Sequence, residues 1–170
     1  MVLDTNVLLD ALLFDNAEVR PLWCAITGGE VQWLTTPPML DEFLHQLGKP
    51  ALARYEPKSE RMLKEAQRAA VLTPPAPALP PSLSRLRCRD RDDQPFIDLA
   101  WWHRASLISR DRDLLSLARK ARPLGLVIVA PRDHALRPVA APMQHAAASA
   151  LVPQSSASAG LPTPPATSAS

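Results

Sequence analysis

The stretch Met1-Val2-Leu3-Asp4-Thr5-Asn6-Val7 opens the chain and decides its fold class. Three apolar residues run directly into an acid, a hydroxyl and an amide, which predicts a short buried strand with polar side chains at its carboxyl end. Ligands bind at that edge of an open parallel sheet. The apolar spacing that continues to Leu13 is helical. We therefore expect Asp4 at a strand-to-helix junction, facing a binding site.

Strand-like and helix-like segments alternate along the rest of the chain as far as residue 130. Such alternation predicts parallel strands joined by right-handed crossover helices. The expected fold is α/β with a central parallel sheet. Further strands are predicted at 31–35, 106–109 and 126–130, and further helices at 18–26, 39–47, 58–71, 93–104 and 114–121.

Length and composition indicate one domain followed by a tail. The chain has 170 residues, of which 46% are hydrophobic, enough for a single core. Between residues 138 and 170 there are six prolines and no Asp, Glu, Lys or Arg. This composition predicts that residues 1–133 form the domain and that residues 134–170 are a disordered Ala/Pro/Ser-rich tail. Truncation after Asp133 is then expected to leave the melting temperature nearly unchanged.

The bulk charge and the cysteines exclude several classes of protein. A net charge of +2 does not by itself predict a nucleic-acid binder. Cys24 and Cys88 lie far apart without ligand-spaced partners, which favours free thiols in a reducing compartment over a zinc site. No apolar run approaches the roughly 20 residues of a membrane span, and the start lacks a secretory signal. We expect a cytoplasmic protein without membrane contact.

Acidic residues recur at equivalent points of the predicted fold. Each follows a strand or lies in the first turns of the next helix, so all should meet at one edge of the sheet. Carboxylates gathered without basic partners repel one another unless a hard divalent cation, Mg²⁺ or Mn²⁺, neutralises them. A metal held in this way supports phosphodiester hydrolysis by activated water. The predicted ligands are Asp4, Glu42, Asp93 and Asp111.

Polar and basic residues near these acids have predicted supporting roles. The side chains of Thr5, Asn6 and Ser109 can orient the ligands or the scissile phosphate. Ten of the 19 basic residues fall between positions 85 and 122, where they form either a solvated charged face or an RNA-binding surface. In the second interpretation, RNA phosphates contact Arg87, Arg89, Arg110 and Arg112.

Taken singly, each acid has a simpler interpretation. Asp4 and Asp111 fit helix N-caps, Glu42 fits a solvated helix residue, and Asp93 fits a charge at a helix N-terminus. A phosphatase with an aspartyl nucleophile is a rival, but it would need a second acid where this chain has Asn6. A non-catalytic binding module would predict a missing carboxylate, and none is missing. Asp90, Asp92 and Asp113 either hydrogen-bond to the metal ligands without touching the metal or pair with nearby arginines at the surface.

The motifs around the acids together resemble a known family. These are Val2-Leu3-Asp4-Thr5-Asn6-Val7, Leu40-Asp41-Glu42-Phe43, Asp90-Arg91-Asp92-Asp93-Gln94-Pro95-Phe96 and Ile108-Ser109-Arg110-Asp111-Arg112-Asp113-Leu114-Leu115. Over residues 1–133 they are similar to PIN-domain ribonucleases, most of all to the toxins of bacterial toxin–antitoxin pairs. The resemblance implies a three-layer α/β/α sandwich with a central parallel sheet, Mg²⁺- or Mn²⁺-dependent cleavage of single-stranded RNA, a homodimer and a small cognate antitoxin.

The chain departs from this pattern in three places. Gln94 stands where the branch often has Asn, the first strand begins at Met1, and the tail has no counterpart. None of these changes touches a predicted ligand. The resemblance also leaves room for a PIN nuclease that processes RNA without being a toxin, or for a catalytically silent PIN-like module that binds RNA or a partner. One metal and two metals are both compatible with four acids.

Overall fold

The first strand, β1 (Val2–Leu3), lies at the centre of a parallel sheet in the computed structural model, which describes residues 1–134. Val2 is paired with Leu34 on one side and with Leu107 on the other. The strand order is β3-β2-β1-β4-β5, and every neighbouring pair is parallel. The other strands are β2 (Trp33–Thr35), β3 (Ala70–Leu72), β4 (Leu107–Ile108) and β5 (Ile128–Val129).

Helices connect successive strands, and their ends follow local sequence signals. Prolines occupy the first turns of several helices, where their missing N–H is tolerated, and Gly48 caps the end of the third helix. The helices are α1 (Thr5–Leu12), α2 (Arg20–Thr27), α3 (Pro37–Leu47), α4 (Glu56–Ala69), α5 (Gln94–Trp102), α6 (Arg112–Ser116) and α7 (Ala118–Ala121). Short 3-10 turns lie at Pro50–Tyr55, Pro81–Leu86, Arg122–Leu124 and Pro131–Asp133.

Two hydrophobic cores cover the two faces of the sheet. Successive strand residues point to opposite faces, so Leu3 and Ile108 pack in one core while Val2 and Leu107 pack in the other. The first core is completed by α1, α2, α4 and most of α3, and the second by α5, α6 and α7. This arrangement confirms the predicted three-layer α/β/α sandwich.

The direction of the chain across the sheet reverses at β1. The connections from β1 to β2 and β3 move toward one edge, and those to β4 and β5 move toward the other. The crevice outside the carboxyl ends of β1 and β4 is therefore the switch point of the sheet, where open α/β sheets bind ligands. Asp4 follows β1, and Ser109 follows β4 directly.

Two predicted elements differ from the structure. The helix expected over 58–71 ends at Ala69, and Ala70–Leu72 forms an edge strand whose pairing with β2 outweighs the helical pattern of the sequence. The helix expected over 114–121 is divided at Leu117 into α6 and α7. From residue 135 onward, the predicted tail lies outside the described residues.

Two further features are the state of the cysteines and the length and apolar character of the helices. Both cysteines are free, as expected: Cys24 is exposed and Cys88 is half-buried. Among residues 1–134, no helix has the length and apolar character needed to cross a membrane.

Candidate active site

Asp4 is a buried carboxylate with hydrogen-bond donors on both of its oxygens. It is only 2% exposed and caps α1, because Oδ1 accepts a 2.7 Å hydrogen bond from the Val7 amide. Oδ2 accepts from the Ser109 hydroxyl and, at 3.1 Å, from the Arg110 amide. Burial raises the pKa of Asp4, and the hydrogen bonds from Ser109 and the backbone oppose that rise. The cap interpretation of Asp4 is confirmed, yet it accounts for only one of the two oxygens.

Ser109 joins Asp4 to Asp111. Its side chain is fully buried. The hydroxyl donates a hydrogen bond to the Asp4 carboxylate, and the hydroxyl oxygen accepts a 2.9 Å hydrogen bond from the Asp111 backbone amide. Asp111 in turn caps α6, with Oδ1 accepting from the amides of Asp113 and Leu114 at 2.7 and 3.1 Å. The predicted support by Ser109 is therefore a direct contact, and the cap interpretation of Asp111 is also confirmed.

Asp93 lies immediately before α5 but forms no capping hydrogen bond through its side chain. It is half-buried. Burial raises its pKa to about 6, helped by the negative charges of Asp111, Asp90, Asp4 and Asp113. Asp4 and Asp111, two of the other predicted ligands, are therefore close enough for their charges to act on Asp93. The local fold does not use the Asp93 side chain as a helix cap, which leaves its carboxylate available to a ligand.

Glu42, the remaining predicted ligand, lies on α3. It is half-buried in the second turn of α3, where the Gln46 side-chain amide donates to its Oε1. Glu42 is not among the described acids that raise the pKa of Asp93 most. It lines instead a neighbouring pocket of about 350 Å³, together with Asp92. Two of the other predicted ligands, Asp4 and Asp111, thus act on Asp93 by their charges, and the placing of all four acids around one metal stays a prediction.

The remaining predicted site residues fall into two groups. Thr5 is half-buried, Asn6 is exposed, and the side-chain hydrogen bonds formed within residues 1–134 do not involve either of them. Arg87, Arg89 and Arg112 are exposed and are absent from the ion pairs of that same part of the chain.

The fourth arginine, Arg110, has acidic partners of its own. Its Nε lies 2.7 Å from Asp10 Oδ2, a charge contact in which the N–H does not point at the oxygen. Its Nη2 donates to Glu18. These partners are on α1 and just before α2, so the Arg110 side chain ties the loop after β4 to the first helical layer. Its backbone amide holds Asp4 at the same time.

The donor set fits the chemistry of a hard divalent cation. The ion pairs within residues 1–134 do not include Asp4, Asp93 or Asp111, so these carboxylates have no cationic side chain to offset their repulsion. All-oxygen donors of this kind suit Mg²⁺ or Mn²⁺. In the described part of the chain, no three acidic, His or Cys side chains are already arranged to hold a metal ion. Binding would therefore require the carboxylates to come closer together than they are in this structure.

Comparison with known proteins identifies the family. The model of the PIN domain matches residues 1–113, which include all four predicted ligands. The chain belongs to the PIN-domain family. An uncharacterized protein of Methanocaldococcus jannaschii, MJ1680, is 30% identical to it over 117 residues, 69% of this chain and 74% of the relative. PIN domains are generally nucleases that use divalent metals, so membership agrees with the chemistry of the carboxylates.

One buried acid of this PIN domain was not predicted from the sequence. Asp98 is 8% exposed within α5, and burial raises its pKa while hydrogen bonds from Gln94 and the Leu79 backbone oppose the rise. The signal was present in the sequence, because Asp98 interrupts the apolar run Phe96-Ile97-Asp98-Leu99-Ala100. An acid on the buried face of a helix is rare unless it has partners or a role.

Proposed function

We propose that this PIN-domain protein is a metal-dependent endoribonuclease that cleaves single-stranded RNA. The observation that supports this most is that Asp4 and Asp111, which follow β1 and β4 at the switch point of the sheet, act by their charges on Asp93, while the ion pairs within residues 1–134 include none of the three. A phosphatase with an aspartyl nucleophile is disfavoured, because Asp4 is buried with donors on both oxygens and has little freedom to attack.

The residues have separate roles in this proposal. Asp4, Asp93 and Asp111 would hold Mg²⁺ or Mn²⁺, with Glu42 joining from α3. The bound ion would supply an activated water and offset the charge on the phosphate. Ser109 and the Arg110 amide keep Asp4 oriented and favour its ionised form. The exposed arginines Arg87, Arg89 and Arg112 bind phosphates along the RNA, which makes binding sensitive to salt.

A cleavage assay tests the reaction. Purified protein with Mn²⁺ should cut a labelled single-stranded RNA, and a chelator should stop the cut. Asp93→Asn should abolish cleavage with little change in melting temperature, because Asp93 makes no capping hydrogen bond. Asp41→Asn is the matched control, since Asp41 is exposed on α3. If Asp93→Asn and the chelated wild type both cut the RNA as fast as the metal-loaded wild type, the proposal is refuted.

We further propose that the nuclease is the toxin of a toxin–antitoxin pair, acting in the cytoplasm as a homodimer. The resemblance of its four acidic motifs to such toxins supports this. Expression of the wild type should slow bacterial growth, Asp93→Asn should not, and co-expression of a small protein encoded beside it should restore growth. A nuclease that is active in vitro without any effect on growth would instead favour an RNA-processing role. Light scattering tests the dimer.

A further inference from the structure

The pocket beside the acids has walls suited to a flat ring. It lies between α3, the start of α5 and the proline-rich segment after β3, and its volume is about 350 Å³. The rings of Pro38, Pro75, Pro95 and Phe96 line it. This volume is at the lower end of the range for small-molecule sites, which suits one nucleotide better than a peptide helix. Apolar and aromatic faces of this kind stack on nucleobases.

A buried carboxylate in the pocket supplies hydrogen-bond acceptors. Asp98 lines the pocket and is 8% exposed; Gln94 Nε2 donates to its Oδ1 at 2.8 Å and the Leu79 backbone donates to the same carboxylate, each oxygen of which can accept a further hydrogen bond. The side-chain oxygen of Gln94, Oε1, accepts a 2.7 Å hydrogen bond from the Cys88 backbone amide, which fixes the orientation of the Gln94 side chain. An ionised carboxylate only accepts hydrogen bonds, so a ligand that reaches Asp98 must present N–H or O–H donors.

The pocket borders the proposed site of cleavage through Glu42 and through Asp92, the neighbour of Asp93. Glu42 lines it from α3, and Asp92 lines it from the loop before α5. Arg91 lies in the same wall and is absent from the ion pairs of residues 1–134. A nucleotide can thus place its base between the rings while its phosphate stays near Arg91 and the acids.

We propose that this pocket binds the base of a nucleotide next to the scissile phosphate and that Asp98 makes it prefer guanine. Guanine presents two adjacent N–H groups on its Watson–Crick edge, which can pair with one carboxylate. Uracil presents a single N–H between two carbonyls, whose oxygens the carboxylate repels. Asp98 is then a specificity-determining residue. The inference rests on the proposed function for its RNA substrate, whereas the pocket itself can be tested without cleavage.

Cleavage mapping is the first test. Wild type should cut a mixed-sequence single-stranded RNA mainly beside guanine. Asp98→Asn keeps the size of the side chain but adds a donor, so the guanine preference should fall about tenfold or more while cleavage continues. Asp41→Asn, exposed on α3 and outside the pocket, should keep the preference. Cleavage with the same base pattern in wild type and Asp98→Asn overturns the inference and leaves the nuclease proposal standing.

Nucleotide binding without metal is the second test. Guanosine monophosphate titrated into the full chain should bind about tenfold more tightly than uridine monophosphate, with chemical shift changes at the pocket. Asp98→Asn should remove this difference, and Ala76→Trp, which fills the pocket, should weaken both ligands. Circular dichroism checks that each variant is folded. An Asp98-dependent guanine preference in a protein that cuts no RNA supports the pocket and refutes the nuclease. Equal binding of both nucleotides overturns the inference.

Discussion

The hydroxyl of Ser109 connects two of the predicted ligands, so its removal should weaken both the fold and the site. The side chain is fully buried, donates to the carboxylate of Asp4 and accepts from the amide of Asp111. Loss of a hydrogen bond to a charged group costs about 1.5–3 kcal/mol, and a buried amide left without a partner adds to this. We expect Ser109→Ala to lower the free energy of unfolding by about 2–4 kcal/mol.

That loss is large enough to measure by thermal unfolding. For a domain of this size each kcal/mol corresponds to roughly 3–5 °C, so the melting temperature should fall by about 6–20 °C. Manganese affinity should also fall about 10- to 100-fold, as is usual when a residue that orients a metal ligand is removed. Ser116→Ala is the matched control. Its hydroxyl bonds the Asp113 carbonyl on the exposed side of α6, so its melting temperature should move by only about 2 °C.

Two outcomes would contradict the roles given to Ser109. If Ser109→Ala melts within about 2 °C of the wild type, the buried hydroxyl does not stabilise the junction of β1 and β4. If the variant is destabilised but binds manganese as tightly as before, Ser109 is a structural residue alone and does not orient Asp4 for a cation.

Two other positions give contrasting expectations. Arg110→Ala should lower the melting temperature by a few degrees, since the acidic partners of Arg110 lie on other elements. Arg112→Ala, at an exposed position, should leave stability unchanged and reduce the salt slope of RNA binding by about one. The reverse pattern in unfolding and filter-binding curves would contradict these two roles. The pKa of Asp98 is raised above its ordinary value of 3.8, so the folded state binds this proton more tightly than the unfolded chain, and stability falls as pH rises from 3.8 through the raised pKa. Asp98→Asn should flatten that part of the curve and melt no lower than the wild type at pH 7; a lower melting temperature at pH 7 would show that the charge stabilises the fold.

The fold could be predicted where the sequence pattern is stronger than its alternatives. The change from Val2 and Leu3 to Asp4 indicates a buried strand that ends at a binding edge, and both residues are buried on opposite faces of the sheet. Strand β3 was missed because Ala70 and Val71 continue the apolar spacing of the preceding helix. Only pairing with β2 distinguishes the two conformations there, and that pairing joins residues distant in sequence.

The site divides in the same way. Asp4 and Asp111 were predictable, because parallel strands place their carboxyl ends together whatever the details of packing. The position of Glu42 relative to Asp93 depends on how far α3 lies from α5, which no local pattern encodes. The ion pair between Arg110 and Asp10 and the pocket around Asp98 likewise arise from contacts between separate elements. Sequence alone therefore predicted that Asp4 and Asp111 follow strands at one edge of the sheet, but not the side chains and amides that they contact; their role as metal ligands stays a prediction.

The most direct test of a metal site at the switch point is a crystal soaked in Mn²⁺ and measured at a wavelength where manganese scatters anomalously. The account predicts one or two anomalous peaks about 2.0–2.3 Å from carboxylate oxygens of Asp4, Asp93 and Asp111, and none there in crystals of Asp93→Asn. A peak elsewhere on the chain, or no peak while Asp4 still accepts only from Ser109 and the backbone amides, would contradict it.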